Sequence, residues 1–379
     1  MQKGGYIYMK KVIAAGHICL DITPVFPSDY TGKNIGDVLV PGKLLQAGRA
    51  DVHTGGSVGN TGLALKMLGN DVYLLGKAGR DTFGDLLESI LKGYGASGLI
   101  RDENCLTSYS VILALPGIDR VFLHCPGANE TFRESDIPEE ALQDAALLHF
   151  GYPPLMRGMY EEKGAGLKNL FLRAKKAGCA TSLDLAAVDP LSDAGKQDWE
   201  AILTQVLPVT DFFMPSFEEL CFMLDRAHYE ALSAKGEMIR QISFEKDVIP
   251  LAEKCLSMGC GVCVIKCGEK GMYYACADTK HLQAVGKNAG LNAALFSNRR
   301  GIQPCFKPER VVSATGAGDT AIAAYLTAML RGRDAAACAR LAAAEGARCV
   351  SAVDALSGLW GLEELEQAIA EGRMTEAEG

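Results

Sequence analysis

From residue 11 onward, short apolar and β-branched runs alternate with longer stretches of helical periodicity, which limits the chain to α/β architectures built on a parallel sheet. VIAAG opens the series, 59–68 reads as a helix, DVYLLG as a strand and 82–94 as a second helix. The rhythm resumes with LLHFG at 147–151, a helix over 161–177, ATSLDL at 180–185, DFFMP at 211–215 and VCVIKCG at 262–268. Parallel strands joined through helices close right-handed βαβ units. The expected fold is therefore α/β, a doubly wound and mostly parallel sheet flanked by helices. At 48% hydrophobic residues over 379 positions, the chain can cover such a sheet on both faces.

Three regions break the rhythm. The first, 22–54, is rich in Pro and Gly, and the second, 107–126, contains SYSVILALPGIDRVFLHC, two strands joined by a Pro-Gly turn. Neither joins a parallel core easily, so they read as a small accessory sheet that covers a site as a lid, or equally as an ordinary edge hairpin. The third, 280–307, carries polar segments and reads as a surface insertion.

Composition narrows the function classes. A formal net charge of −8 with no basic stripe argues against a nucleic-acid partner. No apolar run reaches the roughly 18 residues of a membrane span, and the first ten residues lack the apolar segment of a secretory signal. A cytoplasmic protein with a small-molecule partner is expected. Met1 and Met9 are equally good starts; with Met9, residues 1–8 lie outside the fold. Thirteen cysteines fit a reducing compartment. Cys255, Cys260, Cys263 and Cys267 include one CxxC but no second pair, and the last two lie in an apolar run that reads as a buried strand rather than a metal site. His17, His53, His124, His149, His228 and His281 show no ligand spacing.

The stretch VVSATGAGDTAIAAYL at 311–326 carries the chemistry. Gly316 and Gly318 permit close backbone approach, and apolar residues at helical spacing follow at once, so a helix starts near the glycines. Its first amides and positive dipole end would face an anion. Asp319 is an odd residue for an anion site unless it accepts a proton from an attacking hydroxyl. A second glycine-rich loop, GGSVGNTGLALKMLG at 55–69, also leads into a helix; Gly55, Gly56 and Gly59 let a ligand touch backbone, and Asn60 offers donor and acceptor to a polyhydroxy compound, although a tight structural turn explains the loop equally well. Gly16 and Asp21 in GHICLD end the first strand, where open α/β sheets bind ligands, and Asp21 there is either a sugar-hydroxyl acceptor or a turn residue. No GxxxxGK[ST], strand-linked GxGxxG or GxSxG occurs, so phosphate must be cradled another way.

Taken in order, GHICLD, GGSVGNTGLALKMLG, GRDTFG at 79–84, PGANETF at 126–132, PSFEEL at 215–220, VIKCGEKG at 264–271 and SATGAGDT at 313–320 resemble the ribokinase-like, or PfkB, carbohydrate kinases over roughly residues 11–360. The resemblance implies one ribokinase-like kinase domain over 10–372, with the lid inserted at about 22–54 and 107–126; an exposed edge of that accessory sheet would pair with a second copy as a homodimer through the lid, and an edge covered within the monomer is equally allowed. It implies ATP and Mg2+ as cofactors and a sugar as acceptor. By position, Asp319 matches the catalytic base and Gly316, Ala317 and Gly318 the anion hole. Asp21, Gly55, Gly56 and Asn60 match the sugar-holding positions. Lys266, Gly268, Gly271 and Thr315 match the nucleotide side, and Glu219 matches the acid of an NxxE motif that organises magnesium through water.

The chain departs from the pattern at Ser216, where that motif has Asn, and at Ser313, where the last signature usually begins with Asp, which puts dependence on a monovalent cation (K+) in doubt. Asp354 reads as a loop cap in preference to a site residue. The resulting expectation is an ATP-dependent kinase acting on a hydroxyl of a sugar or sugar-like compound. A nucleoside kinase, with Phe26, Tyr30 or Phe122 under the base, and a non-catalytic sugar or nucleotide sensor with the same fold are the alternatives.

Overall fold

The computed structural model describes residues 10–30, 34–118, 120–352 and 354–377; the choice between Met1 and Met9 lies outside these residues. Strand β1 (Lys11–Gly16) shows why the sheet needs cover on both sides. Val12 and Ala14 point into one apolar cluster and Ile13 and Ala15 into another, because successive strand residues face opposite ways and here both faces are apolar. The chain then leaves the sheet through β2 (Cys19–Pro24) and β3 (Ala50–Gly55) and returns beside β1 as β4 (Asp71–Leu75). Short β5 (Lys77–Gly79) and β6 (Ile100–Asp102) pair with each other, while β7 (Tyr109–Leu113) and β8 (Val121–Cys125) rejoin β2 and β3. Next come β9 (Leu147–Gly151), β10 (Ala180–Leu183), β11 (Phe212–Phe213) and β12 (Val262–Lys266), and finally β13 (Met272–Cys276) and β14 (Arg300–Gln303). The main sheet has the order β14-β13-β12-β11-β10-β9-β1-β4 and is parallel except for β13 and β14.

One face packs on α1 (Leu63–Met67), α2 (Thr82–Gly93) and three later helices, α7 (Ala317–Leu330), α8 (Ala335–Cys349) and α9 (Leu362–Ala370). The opposite face packs on α3 (Arg157–Lys176), α4 (Trp199–Val206), α5 (Phe217–Leu224) and α6 (Ile249–Ser257). The second sheet, β3-β2-β7-β8, follows the carboxyl end of β1, and its Asp21, Phe122 and His124 wall the same cavity as Tyr152 at the end of β9. Among the described residues, no helix is long and apolar enough to cross a membrane.

Four local expectations need correction. Asp21 does not end the first strand: β1 stops at Gly16, and Asp21 lies in β2, paired with His53, so the lid begins at Cys19 instead of 22. The helix expected at 59–68 starts as a π-turn, Val58–Gly62, before becoming α1. The helix expected at 161–177 starts at Arg157 and is interrupted at Glu161–Gly164, where Glu162, Lys163 and Gly164 have positive φ; the charged Glu-Glu-Lys run carries no apolar register that would reveal the first turn. The 280–307 segment is not only an insertion, since it contributes β14, whose RGIQ sequence buries Gln303 alone and so reads as loop.

One buried acid lies in the wall between α8 and the C-terminal segment. Glu345 is 0% exposed, its Oε1 accepts the Trp360 amide at 3.0 Å and its Oε2 has no partner. Burial pushes its carboxyl up to about 8. The folded protein therefore keeps a proton that the unfolded chain releases near pH 4.3, so this group lowers stability progressively as pH rises from there towards 8. Glu345→Gln should flatten that slope, so that the stability of the variant relative to wild type rises as pH goes from 5 to 8, as measured by denaturant unfolding across that range.

Candidate active site

Helix α7 begins where the glycine turn requires it to. Gly316 is its N-cap with φ 78°, a left-handed conformation, and a Cβ there would lie 2.2 Å from the Ala355 Cβ, so only glycine fits. The first-turn amides have no intrahelical acceptor. Asp319, 4% exposed, is held in that turn by three donors. Asn60 Nδ2 donates to its Oδ2 at 3.0 Å, Thr61 Oγ1 to its Oδ1 at 2.9 Å, and the Tyr152 hydroxyl lies 2.8 Å from both oxygens. Asn60 and Thr61 belong to the π-turn, which brings two successive side chains onto one carboxylate. Tyr152 follows the last residue of β9 in a left-handed conformation (φ 65°, ψ 42°) and precedes two prolines. Burial and the adjacent Asp319 charge hold its phenol well above the usual range, so it is a hydrogen-bond donor at neutral pH.

The lid supplies the facing wall. Asp21 accepts from the Cys19 thiol at 3.4 Å, and burial raises its carboxyl. A Cβ on Gly55 would come within 2.2–2.4 Å of the Asp21 carboxylate atoms, and one on Gly56 (φ 78°) within 2.4 Å of His17 Nδ1, so both glycines make room for neighbouring polar groups. His17 Nε2 and His124 Nε2 are 3.3 Å apart across the junction of core and lid, and His124 Nδ1 meets Ser110 Oγ at 3.0 Å. Burial depresses both imidazoles, His17 strongly, which keeps the pair uncharged near neutrality. Arg120, from the β7–β8 turn, hydrogen-bonds Thr315 Oγ1 and ties the lid to the loop before α7.

On the other flank, Lys266 ends β12 and its Nζ donates to Asp184 Oδ1 at 2.9 Å. Burial alone would lower this ammonium, but Asp184, Glu219 and Asp319 hold it above its usual range. Its side chain reaches within 3.5 Å of where a Gly318 Cβ would stand, which places a cation beside the helix N-terminus. Gly268 (φ 51°) and Gly271 (φ 94°) make the tight turn into β13; a Cβ on Gly271 would lie 2.0 Å from the Gln303 carbonyl oxygen. Ser216 and Glu219 form a reciprocal cap on α5: the Ser216 amide donates to Glu219 Oε2 at 2.8 Å, and the Glu219 amide donates to Ser216 Oγ at 3.2 Å. Asp354 accepts the amides of Leu356 and Ser357, both at 2.8 Å, which is the cap expected of it.

A cavity of about 740 Å3 is lined by His17, Asp21, Asn60, Tyr152, Glu219 and Asp319, so the sequence-predicted sugar-side and base residues meet in one space with the magnesium acid at its border. A side chamber of about 520 Å3 shares Asp21, Asn60, Arg120 and Thr315 with it and is otherwise largely apolar, with Ile90 and Ile112 in its wall. Of the three aromatic residues expected beneath a base, Phe122 lines the larger cavity; Phe26 and Tyr30 line neither space. Among the described residues, no three His, Cys, Asp or Glu side chains converge to cage a metal. Glu219 and Asp319 stand near the Lys266 ammonium, which is itself paired with Asp184, whose carboxyl burial raises; two further acids beside one cation leave negative charge that a divalent ion carried on nucleotide phosphates would balance.

Sequence reading missed Tyr152, Thr61, Asp184 and the His17–His124 pair. Tyr152 had a signal, a non-glycine residue before Pro-Pro at the carboxyl end of a strand, and Asp184 closes ATSLD at the end of β10. The histidine pair joins residues 107 positions apart and leaves no local trace. Gly55→Ala should displace the Asp21 carboxylate and raise KM for the acceptor at least about tenfold with little change in melting temperature, checked by steady-state kinetics and thermal unfolding.

Residues 9–360 match the sequence profile described as pfkB family carbohydrate kinase. The chain is 25% identical over 301 residues to an uncharacterized sugar kinase of Archaeoglobus fulgidus, covering 78% of this chain and 98% of that protein. It is 25% identical over 273 residues to Fructokinase-2 of Oryza sativa subsp. japonica, 71% of each chain. Its fold is similar to that of the Arabidopsis thaliana ribokinase complexed with ribose and ATP, with TM-score 0.67 and 19% identity over 95% of this chain and 98% of that one. The fructokinase with bound ATP from Xylella fastidiosa gives TM-score 0.69 and 19% identity over 96% and 99%. The architecture is ribokinase-like.

Proposed function

Because the chain belongs to the pfkB family of carbohydrate kinases, we propose that it transfers the γ-phosphoryl group of ATP to a hydroxyl of a sugar, with Asp319 as general base. The observation that carries this reading is the position of Asp319: a carboxylate at the positive end of α7, inside a cavity walled by Asp21 and Asn60. There it can take a proton from a hydroxyl while the 316–318 amides neutralise the phosphoryl oxygens. Asp21 and the neutral His17–His124 pair accept and donate to the other acceptor hydroxyls, and Gly55 and Gly56 leave the room in which Asp21 and His17 stand to do so.

ATP lies on the Lys266, Gly268, Gly271 and Thr315 side of this arrangement, with Lys266 as the nearest fixed cation to the transferred group. Magnesium bound with the nucleotide supplies charge neutralisation, and Glu219 would hold it through water. Ser216 keeps Glu219 in place by capping α5. Dependence on a monovalent cation is not part of the reading, given Ser313. Within the one proposed kinase domain, 10–372, closure of the lid excludes water from the reacting atoms.

Acids such as Glu130, Asp189 and Asp193 border the cavity, and its two arginines are engaged, Arg157 with Glu161 and Arg120 with Thr315, so an uncharged sugar suits it better than a sugar phosphate or sugar acid. The apolar side chamber favours a second reading, a nucleoside whose base extends past Asp21 and Asn60. We take the protein to be cytoplasmic, with small-molecule partners; a homodimer through the lid would use the β8 edge, where Leu123 is 54% exposed.

A coupled ATP assay over neutral sugars, sugar acids, sugar phosphates and nucleosides decides among these. Turnover with a neutral sugar is expected, selective turnover of ribosides would favour the nucleoside reading, and silence across the panel would leave a sensor. Asp319→Asn should lower kcat on the best acceptor by about 10²–10⁴-fold while ligand-induced thermal shifts persist; a wild-type kcat would remove Asp319 from the mechanism.

A further inference from the structure

The Tyr152 hydroxyl occupies a cavity-side approach to the base that the other hydrogen bonds leave open. A carboxylate offers about four acceptor sites. On Asp319, Thr61 takes one on Oδ1 and Asn60 one on Oδ2, and the phenol, 2.8 Å from each oxygen, spans the remaining two with a single shared proton. Thr61 approaches from within the fold and is 0% exposed, whereas Tyr152 stands in the cavity wall. Its backbone is fixed in a left-handed conformation at the end of β9 and followed by Pro153 and Pro154, so this placement does not drift with the loop.

We propose that Tyr152 masks the catalytic base until an acceptor binds, which suppresses hydrolysis of ATP by water. This rests on the reading of Asp319 as the base. In phosphoryl transfer the acceptor oxygen forms the new bond to the γ-phosphorus, the bond from that phosphorus to the bridging oxygen breaks with its electron pair leaving on ADP, and the hydroxyl proton passes to Asp319. Water can replace the acceptor atom for atom, so only access to the carboxylate separates the two reactions. A sugar anchored at Asp21 and Asn60 brings a hydroxyl held by several contacts and can take one Asp319 oxygen from the phenol, which keeps the other. A lone water has no such anchorage and competes poorly with a donor already in position.

The test measures ADP release from MgATP with no acceptor present. Tyr152→Phe, which removes one oxygen atom, should raise acceptor-free hydrolysis about tenfold over wild type, the size expected for loss of one hydrogen bond to a charged group. Tyr152→Met, another side chain without a donor, should do the same. Thr61→Val removes a donor from the buried side and opens no site towards the cavity, so it should not reproduce the tenfold rise. Hydrolysis by both Tyr152 variants no faster than wild type, with melting temperatures within about 2 °C, overturns the proposal. So does an equal rise in Thr61→Val, because that would reflect a loosened carboxylate. Asp319→Asn in the Tyr152→Phe background separates the two levels: if the double variant hydrolyses MgATP as fast as Tyr152→Phe alone, the assignment of the base fails, whereas a wild-type hydrolysis rate for Tyr152→Phe beside an Asp319→Asn that has lost transfer to the acceptor rejects the mask alone.

Discussion

A buried carboxylate at the start of a helix imposes the rest of this site. Asp319 is almost fully enclosed, and an ionised acid in that position needs compensation from donors, dipole and nearby cations. The protein provides all three from different parts of the chain: Asn60 and Thr61 from the π-turn after β3, Tyr152 from the end of β9, the first turn of α7 itself, and Lys266 from the end of β12. None of these elements can shift without stripping the acid of a partner. The parallel sheet delivers Tyr152 and Lys266 at the carboxyl ends of β9 and β12, and the second sheet delivers Asn60 and Thr61 just beyond β3.

The fold was largely legible in the sequence because its cause is local. Apolar runs such as LLHFG and VCVIK, buried on both faces, announce central parallel strands, and the glycines of GAGD announce a helix start. Legibility failed where burial is one-sided or absent. β14 exposes most of RGIQ, the first turn of α3 precedes a charged interruption, and Asp21 lies on a strand too short to be separated from β1 by periodicity. The glycines and acids that line the cavity were open to sequence reading because each lies in a local motif of fixed spacing. Tyr152, Asp184 and the histidine pair were not, because their roles arise from tertiary proximity between segments distant in sequence.

The π-turn illustrates how such proximity is built. In an α-helix successive side chains diverge by about 100°, which would send Asn60 and Thr61 to different neighbours. The wider turn over Val58–Gly62 lets both serve one carboxylate while α1 continues into the core.

The lid is not a separate cover laid over a finished pocket, since Asp21 is itself a lid residue and its carboxylate fills the space that a side chain at Gly55, directly across the ladder toward Cys19, would need. Positions 21 and 55 are therefore one unit of variation. A lineage that enlarges residue 55 has to shorten or remove the acid at 21, so reshaping the cavity wall at this point is a paired substitution across two neighbouring strands, each single step of which meets a steric conflict or leaves a gap.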